Sequence, residues 1–321
     1  MRLMRELAGS LSMSLPSMQA MRARFTLYRI IREYFAQRGV LEVETPILAR
    51  SGNTDPAIDS FVTFDAHGEP LWLRTSPEFF HKRMLSAGSG DIFEIAKVFR
   101  RGEVSARHRP EFSMLEFYRL GLDEFALIDD LSSLISTIFR GFGANAPAVV
   151  CLSYCAWFER DAGFNPLTIA TATLRARVAE LGVITPAGAD FSRDECLDLI
   201  RTHGLEALLP ADQLSYIYDF PASQAALAQL NSDGKTARRF ELFIGGFELA
   251  NGYFELTDAA EQTQRFARDC AVRAERSLPA VALDQALLTA LRHGLPSCAG
   301  VAVGLDRLLM LLLGVRNISE I

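Results

Sequence analysis

The sequence has no apolar run approaching the ~18–20 residues that cross a bilayer as a helix. Its first 20 residues carry Arg2 and Arg5 without the continuous apolar segment of a signal peptide. Residues 1–17 are therefore expected to be a mobile leader, and the chain is expected to be cytoplasmic. Its five cysteines (Cys151, Cys155, Cys196, Cys270 and Cys298) are too few and too scattered for a disulfide framework, and none has metal-ligand spacing. Free thiols in a reducing compartment fit that pattern. Positive charge is also short: 33 basic residues face 39 acidic ones, a net charge of −6. A domain devoted to nucleic acid is usually basic, so composition argues against tRNA as the main partner. No internal repeat, low-complexity tract or G-x-x-x-x-G-K-[ST] phosphate loop is present. What remains is a globular composition, 49% hydrophobic over 321 residues, enough for one large domain or two ordinary ones.

The most informative stretch is Phe93 to Tyr118, FEIAKVFRRGEVSARHRPEFSMLEFY. It reads as a strand, a polar loop and a returning strand. The loop carries Arg100, Arg101, Arg107 and Arg109, guanidiniums that repel one another unless solvated or bound to an anion. On the return strand, alternation puts Phe112, Met114, Glu116 and Tyr118 on one face and Ser113, Leu115 and Phe117 on the other. The second set suits a core. The first, with a carboxylate and a phenol, suits a pocket wall. On charge alone, a solvated hairpin tip would be the simpler reading.

A second segment, RFELFIGGFELANGYFELTD (239–258), has two β-rich runs around Gly245-Gly246, a two-residue hairpin signal. That turn makes Ile244 face Phe247, Phe243 face Glu248 and Glu241 face Ala250, leaving Glu241 and Glu248 diagonal on one side. Their backbones would lie roughly 7 Å apart, a span a divalent cation can bridge. A bulge at Asn251-Gly252 would bring Tyr253 and Glu255 to the same face.

Elsewhere, Met21, Phe25, Tyr28, Ile31 and Phe35 recur at helical spacing and predict an amphipathic helix over about 18–38. A short strand at 40–44 follows, stopped by Pro46. In TSPEFFHKRML, Ser76 suits an N-cap and Pro77 the first helical position, with Glu78 available to an amine. Residues 150–235 read as a helical insertion without evident chemistry. Near the end, GVAVGLDRLLMLLLG (300–314) is a strand entering a helix. Ala302 and Gly304 leave space on one face, and Arg307 sits in the helix's first turn.

These segments resemble, in order, the three signature motifs of class II aminoacyl-tRNA synthetases. GVLEVETPIL resembles the first, FR-x-G-E with RH-x-PEF the second, and G-x-x-x-G-x-D-R the third. With GFELANGYFELTD, the likeness is to the catalytic domain of lysyl-tRNA synthetases, and more specifically to their truncated paralogues that ligate (R)-β-lysine to elongation factor P. The first motif begins near residue 20, leaving no room in this sequence for the anticodon-binding domain of lysyl-tRNA synthetases. Two departures stand out. Those enzymes read R-N-E where this chain has Arg100-Arg101-Gly102 with Glu103 one place later, and asparagine where Arg109 stands. They also carry glycine at the place of Ala302.

The resemblance implies an α+β fold spanning 1–321, an antiparallel sheet flanked by helices, and a homodimer formed through the first motif. It implies ATP and Mg²⁺, adenylate formation, and transfer of (R)-β-lysine to a lysine of elongation factor P, with tRNA an unlikely acceptor. The rivals are an α-lysine-activating enzyme acting on tRNA or a free amine, and a non-catalytic regulatory subunit. By the resemblance, Arg100 and Arg307 are the catalytic phosphate contacts and Phe112 stacks on adenine. Arg101, Gly102, Glu103, His108, Arg109, Leu249 and Gly304 surround the nucleotide. Glu241 and Glu248 take Mg²⁺, with Glu248 also beside ATP. Glu78, Glu116, Tyr118, Asn251, Tyr253 and Glu255 form the amino-acid pocket, with Ser76, Pro77 and Ala302 at its edge.

Overall fold

The computed structural model describes residues 16–182 and 191–321. All but the last two residues of the expected leader lie outside them. Among the described residues, eleven strands form two sheets. The large one has the order β1 (Leu41–Glu42), β5 (Ile92–Phe99), β6 (Glu111–Leu120), β11 (Cys298–Gly304), β10 (Phe247–Phe254), β9 (Thr236–Ile244), β8 (Gln213–Pro221) and β7 (Ala148–Ser153). Its pairings are antiparallel except β1 with β5 and β7 with β8. A small sheet pairs β2 (Leu48–Ala49), β4 (Pro70–Leu73) and β3 (Val62–Phe64). No described helix is long and apolar enough to cross a membrane.

Alternation along β6 decides which face of the large sheet becomes core. Leu115 and Phe117 point into the main cluster with Val301 and Val303 of β11, and three helices cover that face. Leu27 and Ile31 come from Met18–Ala36, Leu131 and Ile135 from Glu124–Gly141, and Leu308 and Leu309 from Leu305–Leu313. Phe35 stacks on Phe93 at 4.4 Å. The opposite face of β6, β11, β10 and β9 is left to a cavity. Asp306 ties the layers together: it accepts from the Ser113 backbone N–H at 2.8 Å and pairs with Arg24 at 2.6 Å.

Four details differ from the sequence reading. The helix Met18–Ala36 buries Leu27, Ile31 and Tyr34, whereas Met21 and Phe25 turn outward. Ile31, Phe35 and, in part, Tyr28 do face the core as the periodicity predicted, but the apolar residues of this helix exceed one stripe and periodicity alone did not separate off Met21 and Phe25. The helix after Pro77 runs Glu78–Ser86, with Pro77 itself at the cap and no side-chain cap bond, so Ser76 is not the N-cap. In the glycine hairpin, Gly245 and Gly246 both have positive φ (54° and 72°), as a tight two-residue turn requires. The bulge, however, falls between Glu248 and Ala250, so Glu241 faces Asn251 and not Ala250. Asn251, Tyr253 and Glu255 reach the Glu248 face all the same, because one extra residue flips the alternation wherever it is inserted.

The fourth difference is the insertion, which is not purely helical. It is bounded by β7 and β8, two strands that extend the main sheet. Three helices, Tyr154–Asp161, Thr171–Glu180 and Arg193–Ile200, pack between them around Trp157, Phe158, Leu174 and Leu197. The Ser192–Glu195 capping box is present as expected.

Candidate active site

One cavity of about 830 Å³ lies over the open face of the large sheet. Its two ends differ in charge. The acidic end is built on β6, β10, β11 and the helix Glu78–Ser86. Glu116 and Tyr118 are two apart on β6, and the Tyr118 hydroxyl donates to Glu116 Oε1 at 2.8 Å. β11 carries residues small enough to admit them. A Cβ at Gly300 would meet the Tyr118 ring at 2.3 Å and Glu255 Oε1 at 2.6 Å. Ala302 pairs with Glu116 on one side and Asn251 on the other, so its methyl stands between two polar groups. Asn251 donates to the Tyr253 hydroxyl at 3.0 Å.

Two residues at this end went unread in the sequence. Lys82 lies one helical turn beyond Glu78, and its Nζ is 2.7 Å from both Glu78 Oε1 and Glu255 Oε2. The i,i+4 spacing of Glu78 and Lys82 was the available signal. Glu255 lies at contact distance from Lys82, yet neither of its oxygens finds a well-oriented protein donor. Burial and the other carboxylates push Glu255 up to about 8, and burial raises Glu78 too, against the pull of Lys82 in both cases. Lys82 stays charged: although burial opposes it, Glu255 and Glu78 hold its pKa above the usual range. The second unread residue is His81, fully buried, whose Nδ1 is 3.1 Å from Glu116 and whose Nε2 is 3.0 Å from Glu94. Burial pulls its pKa down, but the two carboxylates outweigh that and lift it to about 8. Glu94 is in turn held by Arg74 at 2.9 Å and by the Thr45 hydroxyl at 2.7 Å. This acidic end is therefore braced from behind by a buried chain of charges.

The basic end is formed by the loop 100–110 and the start of the helix Leu305–Leu313. Arg100, Arg109 and Arg307 line it together with Phe112, over whose ring the Arg100 guanidinium lies at 5.2 Å. Arg307 donates to the Glu248 carbonyl at 2.6 Å, and its other terminal nitrogen meets His108 Nε2. The arginine is always a donor, so Nε2 must accept and His108 is the neutral Nδ1–H tautomer, bonded to Ser105 Oγ at 2.7 Å. Burial and Arg307 lower its pKa, consistent with that state. A methyl at Gly304 would be 3.7 Å from the Leu249 carbonyl, an ordinary contact. The protein's own packing does not demand glycine there, and the open space suits a flat ligand. Leu249 turns its side chain into the core and lines the cavity from the other side of the bulge.

Glu241 and Glu248 lie in the wall between the two ends. Glu241 is buried and paired with Arg239 and with Arg201, the latter at 3.3 Å. The Glu248 carboxylate has no hydrogen bond or ion pair among the described residues. No cluster of three or more His, Cys, Asp or Glu able to hold a metal occurs among them either. That donor set fits Mg²⁺ carried in by a polyphosphate, since such ions keep their waters and use only one or two carboxylates. It does not fit a cation held by protein alone.

Of the residues singled out from the sequence, Pro77, Arg101 and Gly102 fall outside the cavity wall. Pro77 is taken up in starting its helix. Arg101 is exposed and pairs with Asp59 at 3.7 Å. Gly102 is the positive-φ corner of the loop (φ 84°), with no atom near its missing side chain. The rest, from Ser76 and Glu78 through Glu103 to Arg307, line this same cavity.

Comparison with known proteins bears on this arrangement. A family model described as tRNA synthetases class II (D, K and N) matches residues 9–321. The elongation factor P–(R)-β-lysine ligase of Pectobacterium carotovorum is 41% identical over 304 residues, covering 93% of this chain and 92% of that protein.

Proposed function

The chain belongs to the class II tRNA synthetases (D, K and N), and from that premise we infer that it is an ATP-dependent, AMP-forming ligase. It activates (R)-β-lysine and transfers it to a lysine ε-amine of elongation factor P. The observation that carries this reading is the charge-split cavity. Glu255, buried with Glu78 and Glu116 around the one lysine ammonium of Lys82, stands at one end, and Arg100 and Arg307 stand at the other. A substrate with ammonium groups and one carboxylate to be activated by a polyphosphate would span those ends. The 41% identity to a ligase named for that activity supports the choice of substrates.

In the first step a carboxylate oxygen of (R)-β-lysine attacks the α-phosphorus of ATP. The bond to the bridging oxygen breaks and pyrophosphate leaves. In the second, the target amine, having lost its proton, attacks the adenylate carbonyl; the amide forms and AMP departs. Catalysis is mostly positioning and charge stabilisation. Glu78, Glu116 and Glu255 would hold the substrate's ammonium groups, Phe112 would stack on adenine, and Arg100 and Arg307 would meet the phosphates. Mg²⁺, when bound, supplies charge neutralisation on the polyphosphate, and Glu248 with Glu241 would hold it. Ala302 would favour a β-amino acid by narrowing the space between Glu116 and Asn251, an effect worth only ~1–3 kcal/mol for one methyl. A homodimer built on the helix Met18–Ala36 completes the proposal.

The test is ATP–pyrophosphate exchange with (R)-β-lysine and α-lysine side by side, without tRNA. Faster exchange with the β-isomer, followed by a mass increase on elongation factor P, is expected. Preference for α-lysine would overturn the substrate assignment, and absence of exchange with either would leave a regulatory protein.

A further inference from the structure

The helix Glu78–Ser86 brings two buried cations to the acidic end, and they serve different carboxylates. Lys82 meets Glu78 and Glu255, while His81 reaches Glu116 of β6 and Glu94 of β5. His81 stands behind the cavity wall, with no exposed surface and the Tyr118 ring edge-on to it at 5.5 Å. Its protonation state follows from its partners. Glu116 Oε1 already accepts from the Tyr118 hydroxyl and Glu94 Oε2 from the Thr45 hydroxyl, so both oxygens are acceptors. A neutral ring has one N–H and would set a bare nitrogen against one of them. Protonated on both nitrogens, His81 donates to both carboxylates.

Two observations set this bridge apart from a brace for the core. Glu94 needs no help from His81, since Arg74 and the Thr45 hydroxyl already hold it. Glu116, by contrast, has only Tyr118 and His81, and both donate to Oε1. Its Oε2 has no partner among the described residues, and Glu116 lines the cavity. The charges point the same way. Glu78, Glu94, Glu116 and Glu255 stand against Lys82, Arg74 and a protonated His81. Four carboxyl groups and three cations leave one negative charge unmatched, an excess that a cationic ligand completes. A neutral His81 would leave two.

We propose that His81 is a positioning residue for the amino-acid substrate: an imidazolium held between Glu94 and Glu116, it fixes Glu116 Oε1 and so turns Oε2 toward a substrate ammonium. The inference rests on the amino-acid-activating reading above and adds to it a residue that acts without touching substrate.

Two neutral replacements separate position from charge. The amide nitrogen of Asn falls near the place of Nδ1 and serves Glu116, whereas that of Gln falls near Nε2 and serves only Glu94. In ATP–pyrophosphate exchange, His81→Gln should raise the KM for (R)-β-lysine about tenfold or more, with the KM for ATP and kcat within about twofold. His81→Asn should raise the amino-acid KM by no more than about threefold. Equal amino-acid KM values for the two folded variants would overturn the proposal, because loss of charge or of a core brace affects both alike. Nitrogen-15 spectra of wild type with labelled histidine decide the matter without a variant. At pH 7, below the value of about 8 that the carboxylates impose against the effect of burial, one ring should show two protected N–H protons. Absence of such a ring would overturn the proposal even if neither variant folded. No exchange by wild type with either lysine would overturn the ligase reading instead, a failure visible before any variant is made.

Discussion

Three carboxyl groups, Glu78, Glu116 and Glu255, share the acidic end with a single ammonium, that of Lys82. Lys82 cannot satisfy all of them, so the empty pocket keeps a proton that an ammonium ligand would displace. Glu255, pushed up to about 8, is the group that carries it. The sign follows directly. Below pH 8 binding must expel the proton, and above it the carboxylate is already charged. The KM for (R)-β-lysine should therefore fall as pH rises from about 6.5 to 8, by up to roughly tenfold. Calorimetry in buffers of different ionisation enthalpy should register proton release on binding. Glu255→Gln should weaken binding and abolish that release; a release of unchanged size would assign the proton elsewhere. His81 changes the pocket charge in the same window. Its raised pKa contributes stability that is complete below the ordinary value of 6.5 and lost as pH climbs through about 8. The three carboxylates were legible in the sequence, but the buried cations beside them were not. A histidine and a lysine inside EFFHKRML look like the polar face of a surface helix until the packing of that helix against β5 and β6 buries them.

At the level of elements, period and turn chemistry could be read wherever they leave no choice. The alternation of β6 sorted Glu116 and Tyr118 from Leu115 and Phe117, because a strand half covered by helices has only two faces. The Gly245-Gly246 turn fixed the pairs next to it. The bulge position was not readable, since sequence does not say which residue is left unpaired. Nor was the π-helical turn Arg201–Leu205, whose first residue pairs with Glu241 on the central sheet. β7 and β8 show that VVCLSY and LSYIYDF carry strand composition, overridden in the reading by the strong helices between them. β11 gives the element-scale prediction. It passes between Tyr118 and Tyr253 at Gly300, where a methyl would be 2.3 Å from the Tyr118 ring. Backbone on both sides prevents relaxation, and overpacking of this kind costs about 1–3 kcal/mol. Gly300→Ala should raise the KM for (R)-β-lysine about tenfold or more while leaving that for ATP near its original value. An unchanged amino-acid KM would mean that Tyr118 and Glu255 do not form the pocket.

Across the whole molecule, one apolar surface has no cover among the described residues. Phe25 and Met18, on the outer side of the helix Met18–Ala36, are 69% and 62% exposed, and Leu41 at the edge strand β1 is 55% exposed. An open sheet edge beside exposed aromatic and methionine side chains invites association. A second copy is the economical partner, because a two-fold axis lets the same patch cover itself. It is also the region where the sequence resembled the dimer-forming first motif, and where the stripe Met21–Phe25 misled the helix reading. Residues selected to face another subunit carry the same apolar signature as residues that face the core. Phe25→Asp is the sharpest test. The side chain touches little within its own chain, so folding and melting temperature should hold. An aromatic anchor lost from a dimer interface commonly costs about 2 kcal/mol or more, a weakening of roughly 30-fold in self-association. Sedimentation equilibrium at micromolar protein should show a dimer for wild type and a shift toward monomer for the variant. A wild-type monomer at those concentrations, or a variant that dimerises equally well, would exclude this face as the interface.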